Sequence, residues 1–169
     1  PPDMPESNSS NIELWVAKND ICELQRLYAK ATDLLCINTP SANAEATQIY
    51  HRIFTPQAVI SATGMAPHIG PDAWVDLVVG ALGEFAATQH LIGTQIAEVH
   101  NLPGDDHSAG RGTLFSHLQA WHAKPDGDMW HYIGIYEANV VCHPGMGWKI
   151  AEMNLRQVSE DYRKISPRP

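Results

Sequence analysis

Apolar residues recur at intervals of three and four through the first long stretch of the chain, residues 11–36, at Ile21, Leu24, Leu27, Tyr28, Ala31, Leu34 and Leu35. That period lays one apolar stripe along an α-helix. Asn19 and Asp20 interrupt the stretch as a cap or a bend midway. The breaker NTPSAN then ends it, and residues 44–53, with Ile49, Tyr50 and Ile53, suit a second, shorter helix that Asn43 caps. AVISATG, after Phe54-Thr55-Pro56, is a short β-branched run and predicts a strand. Pro71-Asp72-Ala73-Trp74 opens a third helix that continues through Leu77, Val78, Ala81 and Leu82 to about residue 85.

From Thr88 the pattern changes to four strand-like segments, 88–100, 109–123, 129–142 and 148–157, separated by the turns PGDD, PDGD and HPGMG. Connections this short join antiparallel neighbours, because a parallel pair needs a crossover of about a dozen residues. Helices early and strands late define an α+β fold, with helices packed on one face of a curved antiparallel sheet. Residues 1–10 are expected to form a flexible N-terminal segment, 11–158 a single domain and 159–169 a C-terminal tail.

Side chains alternate faces along a strand, so residue parity predicts who faces whom. Gly110, Gly112, Leu114, Ser116, Leu118, Ala120 and His122 share one face of their strand, with His117 pointing the other way. Trp130, Tyr132, Gly134, Tyr136 and Ala138 share a face of the next, and Ala151, Met153, Leu155 and Gln157 of the last. An aromatic face with glycines suits a ligand pocket and suits an ordinary sheet–helix core equally. The opposite face would carry Phe115, His117 and Trp121, an aromatic patch consistent with a homo-oligomer, a dimer or trimer.

Composition narrows the function. The 169 residues are 44% hydrophobic and 18% charged, and 11 Lys+Arg against 19 Asp+Glu leave a net charge of −8, the wrong sign for neutralising phosphates. Neither nucleic acid nor an anionic membrane is an expected partner. No apolar run approaches the ~20 residues of a membrane span, and Cys22, Cys36 and Cys142 are too scattered for a disulfide framework or a Cys-x-x-Cys zinc site. The expectation is a soluble, cytoplasmic protein with its thiols in the core.

Nine histidines stand out among so few charges, because histidine titrates near neutrality. Asp33 lies among alanines, leucines and a cysteine in YAKATDLLC, where a carboxylate is costly unless paired. Alone it reads as a helix-end acid in water. His90, in ATQHLIGTQI, reads alone as a structural histidine. Together they would make a general base, the aspartate fixing and stabilising the imidazolium. His117 and His122, five apart on a strand, face opposite ways, and there is no H-E-x-x-H, so a metal site is not expected. His51, His68, His100, His107, His143 and His131 read as solvated. There is no Gly-x-Gly-x-x-Gly, Walker loop or Gly-x-Ser-x-Gly elbow to hold a nucleotide or a serine nucleophile.

The succession ICELQRLYAKATD, FTPQAVISATG, ATQHLIGT, GIYEANVV and GWKIAEMNL resembles the SnoaL-like families of the nuclear-transport-factor-2-like superfamily over most of residues 11–158. The resemblance implies a cone, a curved antiparallel sheet wrapped by N-terminal helices around an apolar pocket. It also implies relatives such as scytalone dehydratase, bile acid 7α-dehydratase, the lindane dehydrochlorinase and polyketide cyclases, most of which need no cofactor. In the dehydratase and dehydrochlorinase branches a helix aspartate and a strand histidine form an acid–base dyad, which by matched motif falls on Asp33 and His90. Tyr28 resembles the helix tyrosine of the bile acid dehydratase, Tyr136 a pocket position, and His122 the second histidine of scytalone dehydratase.

The predicted pocket face adds Trp130, Tyr132, Leu114 and Met153 as substrate-binding positions. Ala62 and Met153 stand where those relatives carry a tyrosine and an arginine, and Arg156 falls on the opposite face. The recognition groups of the scytalone and lindane reactions are therefore missing. The expectation is a cofactor-independent lyase or isomerase, a dehydratase, double-bond isomerase or cyclase, acting on a small, largely apolar polyketide, terpenoid or steroid. The alternative is a non-catalytic small-molecule-binding or interaction protein of the same fold.

Overall fold

The computed structural model describes residues 7–104 and 106–164. Helix α1 (Ser7–Ile37) runs unbroken past Asn19 and Asp20, whose exposed side chains cost a helix only a fraction of a kcal/mol each. Its predicted stripe faces the core, with Ile21, Leu24, Tyr28, Ala31 and Leu35 buried and Leu27 and Leu34 half-buried, and Ile21 and Leu35 each bring roughly 1.5–3 kcal/mol by leaving water. In α2 (Pro40–Ile53) the cap is Thr39 and not Asn43: Thr39 Oγ1 accepts the Ala42 N–H at 3.2 Å and Pro40 fills the first turn. Asn43 instead bonds Asn38 from within the helix. The third helix, α3 (Pro71–Leu82), buries Trp74, Val78 and Leu82.

Six strands, β1 (Phe54–Ala62), β2 (His68–Ile69), β3 (Ala87–Asn101), β4 (Gly110–Ala123), β5 (Met129–His143) and β6 (Gly147–Arg163), form one sheet in the order β2-β1-β6-β5-β4-β3. The four late strands make the predicted antiparallel meander. The sheet as a whole is mixed, because β1 joins parallel to β6, with Ile60 opposite Met153 and Ala62 opposite Leu155. The tight turns dictate only sequential neighbours, whereas α3 and four strands separate β1 from β6, ample length for a parallel pairing. Pro56 falls where that pairing is irregular, as its missing N–H requires.

The predicted inward face of β4 is buried at every position from Gly110 to His122. On β6, strict alternation fails. Ala151 is an extra residue between the pairs Asn139–Glu152 and Val140–Ile150, so Trp148 and Ile150 turn inward in its place. A second irregularity between Gln157 and Ser159 turns Tyr162 inward, opposite Trp130. The strand thus continues to Arg163, and residues 159–163 belong to the sheet and not to a tail. Helix α1 begins at Ser7, inside the segment expected to be flexible, whose first six residues lie outside the described ones.

Helix α1 packs along β3, and α2 and α3 complete the cover, so that one aromatic and aliphatic core fills the curve of the sheet. Cys36 and Cys142 are buried, Cys22 is half-buried, and all three are free thiols. On the outer face, His117 is exposed while Phe115 and Trp121 are half-buried. His131, expected in solvent, is buried there with its ring stacked on Trp121 at 3.8 Å. The Arg163 guanidinium lies over the same indole. No helix is long and apolar enough to cross a membrane among the described residues.

Candidate functional site

Cross-strand rows set the site. Leu114, Ala138 and Met153 form one row across β4, β5 and β6, and Ser116, Tyr136 and Leu155 the next. Further along come Leu118 with Gly134 and Gln157, then Ala120 with Tyr132, then His122 with Trp130 and Tyr162. A cavity of about 430 Å³ opens from the Tyr136 row toward the His122 row, within the roughly 300–1,000 Å³ of small-molecule sites. Leu114 and Met153, predicted to touch substrate, are core residues instead. Their row lies beyond Tyr136, at 2% and 0% exposure, and outside the cavity lining.

Gly134 is what lets the sheet wall close up. A Cβ there would stand 2.7 Å from Tyr132 Cε1 and 3.1 Å from the Arg156 carbonyl. Across from the sheet, α1 contributes Tyr28 and Thr32, and α3 contributes Trp74, Leu77 and Val78. Of the other predicted substrate-binding residues, Tyr136, His122, Tyr132 and Trp130 all line the cavity.

Asp33 and His90 meet. Asp33 Oδ1 lies 2.7 Å from His90 Nδ1, the Thr88 hydroxyl donates to the same oxygen at 2.9 Å, and the His90 backbone N–H donates to Oδ2 at 3.1 Å. The backbone donor is available because β3 is an edge strand and Asp33 stands where a further strand would pair. Three donors also offset the placing of a carboxylate in the last turns of α1, where the helix dipole disfavours negative charge. A carboxylate only accepts, so neutral His90 carries its proton on Nδ1 and leaves Nε2 bare. His90 lines the cavity, whereas Asp33 stands behind it, their side chains 7% and 30% exposed.

His122 lies edge-on to His90 at 5.5 Å. Burial first, and then the neighbouring His90, lower its pKa to about 4. Its Nδ1 faces the Trp130 carbonyl at 3.3 Å, which can only accept, so the neutral ring holds its proton there and Nε2 is again bare. A neutral His122 therefore accepts a hydrogen bond and is no proton donor from Nε2. Donors come from the tyrosines. Burial raises the pKa of Tyr28, against hydrogen bonding with Trp74, Thr32, Tyr50 and Tyr136, and burial first raises Tyr136 well above the ordinary range. Tyr132 is pushed up to about 12 by burial and by Glu160. All three stay protonated at neutral pH.

Several contributors to the site are not marked by the sequence pattern. Trp74 Nε1 donates to Tyr28 Oη at 3.0 Å, yet its helical spacing reads only as core. Thr88, two residues before His90 on the same face, was within reach of the parity argument. Phe85 and Trp130 lie with their rings nearly parallel at 5.8 Å, and Tyr162 continues that wall on Trp130 at 6.1 Å. Among the described residues no group of three or more His, Cys, Asp and Glu side chains is arranged to hold a metal ion.

No curated protein matches the chain. Solved structures do. A scytalone dehydratase candidate from Novosphingobium aromaticivorans is 16% identical, with 94% of this chain and 93% of that one covered and a TM-score of 0.68. The hexachlorocyclohexane dehydrochlorinase LinA-type3 from Novosphingobium barchaimii is 12% identical, with 95% and 100% covered and a TM-score of 0.67. A nuclear-transport-factor-2-like protein from Salmonella enterica is 14% identical, with 86% and 93% covered and a TM-score of 0.61. At such identities the likeness establishes a common fold, and it is the NTF2-like one. The SnoaL-like domain family matches residues 17–154, which include Asp33, His90 and every cavity-facing residue of β4 and β5, and the chain belongs to that family.

Proposed function

We propose that the protein is a cofactor-independent lyase or isomerase that removes a proton from a small, largely apolar metabolite in the cavity, with His90 Nε2 as the base. The observation that carries this reading is the 2.7 Å contact of Asp33 with His90 Nδ1, which leaves the other ring nitrogen bare on a cavity lining residue. Asp33 orients the ring and stabilises it once charged. Tyr28 and Tyr136 donate to the oxygen on which the electron pair collects, and the imidazolium can return its proton to a leaving hydroxyl or to another carbon. Dehydration, double-bond migration and cyclisation share this first step. The dehydratase and dehydrochlorinase named among the structural neighbours support a reaction of this kind.

The test uses the metabolite that copurifies with the native protein, identified by mass spectrometry and turned over in vitro. Asp33→Asn and His90→Ala, each folded by circular dichroism, are expected to lower kcat about 10²–10⁴-fold. Turnover near wild type in both variants overturns the dyad, whereas a copurified metabolite that the native protein binds and leaves unchanged favours a non-catalytic carrier.

A further inference from the structure

The protons around Tyr28 can be assigned one by one. Thr32 has a single hydroxyl proton, and it goes to the Tyr28 backbone carbonyl one turn back at 2.9 Å. The 2.7 Å contact between Thr32 Oγ1 and Tyr50 Oη therefore has Tyr50 as its donor. Trp74 Nε1 gives its proton to Tyr28 Oη. Tyr50 is wholly buried and does not line the cavity, but its ring lies flat on that of Tyr28, with centroids 5.3 Å apart and planes within 4°. The Tyr50 and Tyr136 hydroxyls lie near that of Tyr28, and hydrogen bonding from each favours its ionised form.

Resting on the reading of the cavity as the place where an oxyanion develops, we propose that Tyr50 is a positioning residue for Tyr28. Anchored by Thr32, it holds the Tyr28 hydroxyl aimed at the ligand and supplies a second donor when that hydroxyl gives up its proton. The step balances. His90 Nε2 takes the proton from carbon, the C–H electron pair moves onto the ligand oxygen, and the Tyr28 proton passes to that oxygen. Tyr50 then turns its own proton from Thr32 Oγ1 onto Tyr28 Oη, beside the Trp74 N–H. Thr32 keeps its bond to the carbonyl, so no buried donor is stranded. A buried phenolate held by two donors is far less costly than one held by one, since hydrogen bonds to a charged oxygen are about twice as strong as neutral ones.

Tyr50→Phe keeps the ring that stacks on Tyr28 and stands edge-on to Phe54, and removes only the hydroxyl. The probes are a nitro-1-naphthol, ionised at mildly alkaline pH, and nitronaphthalene, the same ring without the oxygen. The variant is expected to bind the naphtholate about tenfold more weakly than wild type and nitronaphthalene equally well. In ligand-free protein labelled at tyrosine Cζ, the Tyr28 carbon resonance is expected to shift. Equal losses for both probes, or no loss, with an unmoved Tyr28 resonance, overturn the positioning role. The labelled-carbon readout is independent of turnover, so an unmoved resonance overturns it even where Asp33→Asn and His90→Ala abolish activity. A shifted resonance supports it even where those two variants stay active and the catalytic reading fails.

Discussion

Acid should destabilise this protein through His122. The ring is buried and its pKa is held down to about 4, by burial first and by His90 second, against an ordinary 6.5. As pH falls below about 6.5 the unfolded chain takes up a proton that the folded chain refuses, so stability drops steadily until about pH 4. The gap between the two values corresponds to on the order of 3 kcal/mol. That is a large share of the roughly 5–15 kcal/mol that holds a domain together. His122→Asn removes the titration while its amide N–H can still donate toward the Trp130 carbonyl. Urea unfolding of both proteins at a series of pH values isolates the contribution. The wild-type stability minus that of the variant should fall by on the order of 3 kcal/mol between neutral pH and about pH 4. A pH-independent difference, or an NMR titration of His122 near its ordinary value, would mean that the ring is not held neutral by burial.

Other consequences are local. Gly134→Ala should destabilise by about 1–3 kcal/mol in urea unfolding, because its Cβ would meet Tyr132 on one side and the unyielding Arg156 carbonyl on another; a neutral result means the wall is looser than drawn. Thr88→Val removes one of the three donors to Asp33 and should cost about 1.5–3 kcal/mol at neutral pH, the worth of a hydrogen bond to a charged group. An unchanged midpoint would mean that solvent replaces the hydroxyl at this partly exposed carboxylate.

Periodicity made α1 readable, and with it the inward placing of Tyr28. Alternation did the same for β4, every predicted inward position of which is buried. Both patterns are local, and the sequence became unreadable where structure stops being local. The parallel partnership of β1 and β6 joins segments that no turn connects. The extra residues in β6 silently exchange the two faces, so Tyr162, read as tail, returns as cavity wall. The Asp33–His90 dyad was legible only through motif resemblance, since residues 57 apart carry no spacing rule. Tyr50 and Trp74 were hidden for a different reason: a buried aromatic that packs and one that also hydrogen-bonds look alike in a hydrophobic pattern.

Proton removal in the cavity depends on His90 offering an unprotonated Nε2, which it does because Asp33 holds the proton at Nδ1. A long-range proton–nitrogen NMR spectrum of the histidine rings, recorded in wild type and Asp33→Asn, reads this directly and needs no substrate. Neutral His90 is predicted to show a protonated Nδ1 and a bare Nε2 in wild type, with the tautomers mixing in Asp33→Asn. A proton on Nε2 in the neutral wild-type ring contradicts the account.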